Sequence, residues 1–146
     1  MSEEEKVEAP QEEAAEKDVQ SEGEDLQKTI TSSLDELSDA PTKEQIEVWK
    51  AQFGEVFVSG FSEKELVVWR PVKRVEYLAI QEAVQEGKID QPKSEETLLD
   101  VCVLFSSLKM AWGQTKGGVV PTLVEQVMQA SNFIAPAAAS MFVVKL

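Results

Sequence analysis

Two dense apolar runs constrain the fold of this chain more than any other feature of its sequence. The first, Leu66-Val-Val-Trp69, ends at Arg70-Pro71, and its branched and aromatic residues favour a β-strand. The second extends from Leu98 to Phe105, and its apolar residues recur at helical spacing, which predicts a deeply buried helix. The inward-facing residues of that helix are expected to be Leu98, Val101, Cys102 and Phe105.

The negative charge of the chain is concentrated near its start. Residues 1 to 40 contain 14 acidic residues and 3 lysines, whereas residues 41 to 146 contain 13 acidic and 11 basic residues. The acidic segment has no aromatic residue and cannot bury enough apolar surface to offset the entropy lost on ordering. We therefore predict a disordered acidic tail over residues 1 to 40, dispensable for folding. Ile30, Leu34 and Leu37 share one helical face, which leaves open a short helix that docks on a partner.

Residues 41 to 134 have the pattern of a small α-rich assembly or binding domain. Thr42 fits the N-cap of a helix over residues 43 to 53, and Gly54 fits its end. Two β-type runs, 55 to 59 and 66 to 69, flank a short polar stretch and predict a β-hairpin.

Three further helices are expected in this domain. One extends from about residue 72 to 86 with an apolar stripe that includes Val75, Leu78 and Ile80. The next is capped by Ser94 and extends through Phe105, and the last begins at Pro121. The predicted fold class is therefore mainly α, in the α+β sense: a small helical domain with one short β-hairpin and a disordered acidic tail.

Residues 135 to 146 form an apolar C-terminal extension. Its β-type residues are Met141, Phe142, Val143 and Val144, and an exposed strand of this composition invites aggregation. We expect the segment to pair with the domain's own hairpin or, as an added edge strand, with a neighbouring subunit.

The composition argues against catalysis and against several classes of partner. The chain has no histidine and one cysteine, so the commonest general base and a structural zinc site are lacking, and we expect no enzyme activity and no cofactor. The excess of negative charge opposes nucleic acid and anionic membranes as partners. The start of the chain has no signal-peptide pattern, which favours a cytoplasmic protein. The glycine-containing loop 113 to 118 lacks the order of a phosphate-binding loop.

The basic residues Lys73 and Arg74 form one cluster with Trp69 and Arg70. Two interpretations stay open for this cluster. It can be solvated charge at the start of a helix, or it can contact an acidic partner or the acidic tail of this chain.

The order of these features resembles the tail assembly chaperones of long-tailed bacteriophages, over about residues 41 to 134. The residues that carry the resemblance are Trp69-Arg-Pro71, Arg74, Tyr77, Cys102-Val-Leu104, Gly117-Gly-Val-Val-Pro121, Leu123 to Met128 and Ser131-Asn-Phe133. The resemblance implies a non-enzymatic protein of the host cytoplasm that binds the tape measure protein, keeps its apolar helices soluble and recruits tail tube subunits.

The alternative is a structural virion protein, a capsid, neck or tail component that remains in the mature particle. Self-association is also compatible with the sequence. The expected partner-binding residues are Trp69, Arg70, Lys73, Arg74, Tyr77, Met141, Phe142, Val143 and Val144.

Overall fold

A three-stranded antiparallel sheet lies at the centre of the fold in this computed structural model, which describes residues 23 to 133 and 144 to 145. The strands are β1 (Phe57–Gly60), β2 (Leu66–Trp69) and β3 (Val103–Ser106), and β2 lies between the other two. The predicted hairpin is confirmed as β1 and β2. The third strand is an addition that the sequence pattern does not predict.

The described residues also contain five helices and one short 3₁₀ turn. They are α1 (residues 23 to 36), α2 (Lys43–Phe53), α3 (Arg74–Gln85), α4 (Gln91–Cys102), the 3₁₀ turn Trp112–Gln114 and α5 (Val119–Ala130). The predicted α+β class is confirmed. No helix in the described part of the chain has both the length and the apolar character needed to span a membrane.

All four residues of β2 are buried, because helices cover both faces of the sheet. Val67 and Trp69 point into a first core formed with α3, α4 and α5. Leu66 and Val68 point into a second core formed with α1 and α2. This alternation explains why the strand is apolar at every position rather than at every second one.

The second core corrects the predicted boundary of the acidic tail. Leu34 of α1 is 7% exposed and packs with Leu66 and Val68, and Ile30 lies against the same cluster. A Cβ at Gly60 would lie 3.0 Å from the Ile30 side chain, so the glycine allows α1 to approach the sheet closely. Residues 23 to 36 are therefore a packed helix rather than part of a disordered tail, and we expect their removal to destabilise the domain. Residues 1 to 22 lie outside the described part.

The start and end of α2 agree with the sequence pattern. The Thr42 hydroxyl accepts the backbone N–H of Gln45 at 3.1 Å, which satisfies one of the unpaired donors at the start of the helix. Gly54 has φ of 86° and ends the helix in a backbone region that favours glycine.

The boundaries predicted for α4 are wrong at both ends. The N-cap is Asp90, whose carboxylate accepts the Lys93 N–H at 2.8 Å, and Ser94 lies buried one turn inside the helix. At the other end the chain leaves the helix after Cys102, because residues 103 to 106 pair with β2. Phe105 is therefore a half-buried strand residue of the second core.

The apolar residues of α3 do not lie on one buried stripe as expected. Ile80 is buried at 7% exposure, whereas Val75 and Leu78 are 72% and 46% exposed. Nearly opposite sides of the helix therefore carry apolar residues.

Candidate functional site

Trp69 lies in the interior, where it joins β2 to β1 and α5. Its indole N–H donates to the Ser59 hydroxyl at 2.7 Å, and that hydroxyl donates to the Gln126 side-chain oxygen. The indole also stacks on Phe57 with 4.8 Å between ring centroids. At 4% exposure Trp69 is a core residue, so the prediction that it contacts a partner is wrong.

Arg70 is also buried, at 7% exposure, and forms an ion pair with Glu76. Its two terminal nitrogens donate to the two carboxylate oxygens at 2.6 and 2.8 Å, and one of them also donates to the Val101 carbonyl at 3.0 Å. The guanidinium lies 4.5 Å from the centroid of the Phe53 ring. Arg70 therefore ties the end of β2 to α2, α3 and α4, and its predicted role as a partner contact is wrong.

Glu76 has a second partner that fixes the start of α3. Its carboxylate accepts the backbone N–H of Lys73 at 2.9 Å, which completes the cap of the helix. The hydrogen bonds from Arg70 are the main reason that the pKa of Glu76 lies below its ordinary value. The orientation of α3 is thus set by a bidentate, largely buried pair, which is a more rigid support than a surface salt bridge.

The outer face of α3, which consists of Arg74, Val75, Leu78, Ala79 and Glu82, is exposed to solvent throughout. The exposed valine and leucine make this face partly apolar. Lys73 is exposed just before the helix, with its ammonium group 5.7 Å from the Phe53 ring. Of the predicted basic cluster, Lys73 and Arg74 therefore lie on the surface.

A groove of ≈ 230 Å³ lies between α3, α4 and α5, and we call it the Tyr77 groove. Ile80 and Leu98 are buried at its base, and Val124 and Met128 of α5 form a half-buried wall. The Tyr77 ring lines the groove and packs on Phe133, with 4.7 Å between the ring centroids. The polar residues at its rim are Gln81, Gln91 and Glu95, whereas Ser94 is buried and its hydroxyl donates to the Gln91 carbonyl at 2.6 Å. The groove can therefore receive an apolar side chain and offer hydrogen bonds at its edge.

A second cavity, of ≈ 380 Å³, lies near the start of α5, and four of the polar side chains that line it are already paired within the chain. The Lys116 ammonium lies 3.4 Å from the Glu65 carboxylate, and the Ser59 hydroxyl donates to Gln126. These four side chains are paired with one another, so they are less available to bind a partner. The Tyr77 groove has a base of two buried apolar side chains, Ile80 and Leu98, and we take it as the candidate site for binding a partner.

Of the predicted partner-binding residues, Tyr77 alone lines this groove. The sequence pattern predicts Val124 and Met128 as apolar helical positions but not as part of a site. Their spacing shows an apolar helix face, and only the packing of α5 against α3 and α4 shows that part of that face stays open.

The C-terminal candidates are largely outside the described residues. Met141, Phe142 and Val143 belong to the part that is not described, and Val144 is 81% exposed. The expected pairing of this segment with a sheet edge stays a prediction.

Two observations bear on reactive chemistry in the described residues. They contain no cluster of three or more His, Cys, Asp or Glu placed to hold a metal ion. Cys102 is fully buried, and desolvation raises the pKa of its thiol to about 11, which disfavours the reactive thiolate. Cys102 is therefore a packing residue of the first core.

No protein-family model matches this chain, and no similar protein was found among curated proteins or solved structures.

Proposed function

We propose that this protein is a non-enzymatic assembly chaperone of bacteriophage tails, which binds the tape measure and tail tube proteins during tail morphogenesis in the host cytoplasm. The resemblance of residues 41 to 134 supports the family, and the Tyr77 groove supports the mode of binding.

The groove is the observation that carries the proposal. Its volume of ≈ 230 Å³ exceeds that of the engineered apolar cavity of about 150 Å³ that accepts benzene, so a large apolar side chain fits. Met128 can adapt to different side chains because its thioether chain is flexible, and Tyr77 combines an apolar ring with a hydroxyl. These properties suit an amphipathic helix that inserts apolar anchors at successive turns.

The test is co-expression with the tape measure protein of the same phage. Met128→Lys places a charge in the wall of the groove, and we expect the tape measure protein to move to the insoluble fraction. Met110→Lys is the matched control, because Met110 is 53% exposed and lies outside the groove. Equal solubility with both variants, each verified as folded by circular dichroism, would contradict the proposal.

Mass spectrometry of purified mature particles separates the chaperone from a structural virion protein. A chaperone is absent from mature particles, whereas a capsid, neck or tail component is present at a fixed copy number. Detection at a fixed copy number would replace the proposed function by the structural one.

A further inference from the structure

The outer face of α3 carries opposite charges at its two ends and apolar residues between them. Arg74, Leu78 and Glu82 follow one another at intervals of four residues, so they form one stripe along the helix. Arg74 and Glu82 are about 12 Å apart along the helix axis, at about 1.5 Å per residue.

Neither charge is neutralised within the described part of the chain. Both residues are exposed, and neither forms a salt bridge there. Between them, Leu78 is 46% exposed and the neighbouring Val75 is 72% exposed. An exposed apolar centre with a charge of each sign at its ends is a pattern that a partner surface can complement.

We propose that this face pairs with the same face of a second copy of the chain, with the two α3 helices antiparallel and a two-fold axis near Leu78. In this arrangement Arg74 of each copy lies opposite Glu82 of the other, so two ion pairs form. The two Leu78 side chains meet at the centre. The face is therefore its own complement, as an isologous interface requires.

A parallel arrangement is disfavoured by the same charges. It would place Arg74 beside Arg74 and Glu82 beside Glu82, and like charges at an interface repel. The order of the charges therefore favours the antiparallel orientation of the two copies, and the apolar centre favours their contact.

The interface is small, and it lies beside the rim of the Tyr77 groove rather than over its base. One helix pair buries less than the roughly 1,200–2,000 Å² of a standard stable interface, so we expect a weak, concentration-dependent dimer. Ile80, at the base of the groove, lies about 160° around the helix from Leu78, whereas Gln81, at its rim, lies about 60° from Leu78. The variants separate the two proposals, because Arg74 and Glu82 do not line the groove and Met128 belongs to α5, so either proposal can fail without the other.

The first experiment is sedimentation equilibrium of the full chain at protein concentrations up to about 1 mM. This range covers the dissociation constant expected of a weak dimer. We expect the wild type to dimerise, and Arg74→Glu and Glu82→Arg each to weaken the dimer at least tenfold. The controls are Lys50→Glu and Glu47→Arg, which make equal charge changes at exposed positions of α2 and should leave the association unchanged. A wild type that stays monomeric, or charge variants that associate like the wild type, would overturn the proposal.

The second experiment mixes the two single variants, Arg74→Glu and Glu82→Arg. In the mixed antiparallel dimer the two substituted positions lie opposite each other with opposite charges, and the unsubstituted Arg74 lies opposite the unsubstituted Glu82. Both ion pairs are therefore present, one of them with its charges exchanged. We expect the mixture to associate at least tenfold more tightly than either variant alone, a recovery that misfolded variants could not show. Failure of the mixture to recover association would overturn the antiparallel pairing.

Discussion

Leu34→Ala tests whether α1 is part of the folded domain. The leucine is 7% exposed and packs on Leu66 and Val68, so its removal leaves a cavity in the second core. Substitutions of buried leucine by alanine cost about 2–5 kcal/mol. Because α1 is a peripheral layer that can settle onto the sheet, we expect the lower part of that range, about 2–3 kcal/mol. Urea unfolding followed by tryptophan fluorescence and far-ultraviolet circular dichroism measures the change.

Leu26→Ala is the matched control, since it makes the same substitution in the same helix. Leu26 is 63% exposed, and we expect its free energy of unfolding to change by less than about 0.5 kcal/mol. A chain that begins at Pro41 loses the Leu34 contact entirely and should be at least as unstable as Leu34→Ala. If the two leucine variants have the same stability, the packing of α1 on the sheet is refuted.

The buried ion pair, the cysteine and the second core each allow a further test. Glu76→Ala should cost about 3 kcal/mol in urea unfolding, because it leaves Arg70 buried without its carboxylate, whereas Glu82→Ala should be nearly neutral. As the pKa of Glu76 is lowered, its contribution is present above its ordinary pKa of 4.5 and is lost as the pH falls. Cys102 should resist thiol reagents until the protein unfolds. Because the pKa of its thiol is raised from 9.0 to about 11 in the folded protein, the free energy of unfolding should fall as the pH rises from 9 towards 11. Urea unfolding at several pH values measures this change. Phe105→Ala should cost about 2–3 kcal/mol by the same urea assay, less than for a fully buried ring.

Local signals in the sequence predict the elements that depend on local interactions. The cap at Thr42 and the end at Gly54 bound α2 as expected, and the β-type runs form the hairpin. The third strand cannot be predicted in this way, because residues 103 to 106 continue an apolar helical pattern and leave it only to pair with β2. Such pairing is set by residues distant in the sequence.

The position of α1 and the burial of Arg70 escape the sequence pattern for a related reason. The apolar residues between positions 30 and 37 are few. They are enough to hold α1 in place because they pack on the apolar residues of the second face of the sheet. The uninterrupted apolar sequence of β2 is the signal that indicates a second layer. The sequence pattern does not reveal the hydrogen-bond partners of Trp69 and Arg70, because Ser59 and Glu76 meet them only in the folded chain.

Partner binding at the Tyr77 groove is tested most directly by NMR on the isotopically labelled protein. The ligand is a peptide from an apolar helix of the tape measure protein. We predict that the amide shifts cluster at Tyr77, Ile80, Leu98, Val124 and Met128, and that Met128→Lys abolishes them. Absence of shifts with the wild type, or shifts confined to residues remote from the Tyr77 groove, would contradict the proposed mode of binding.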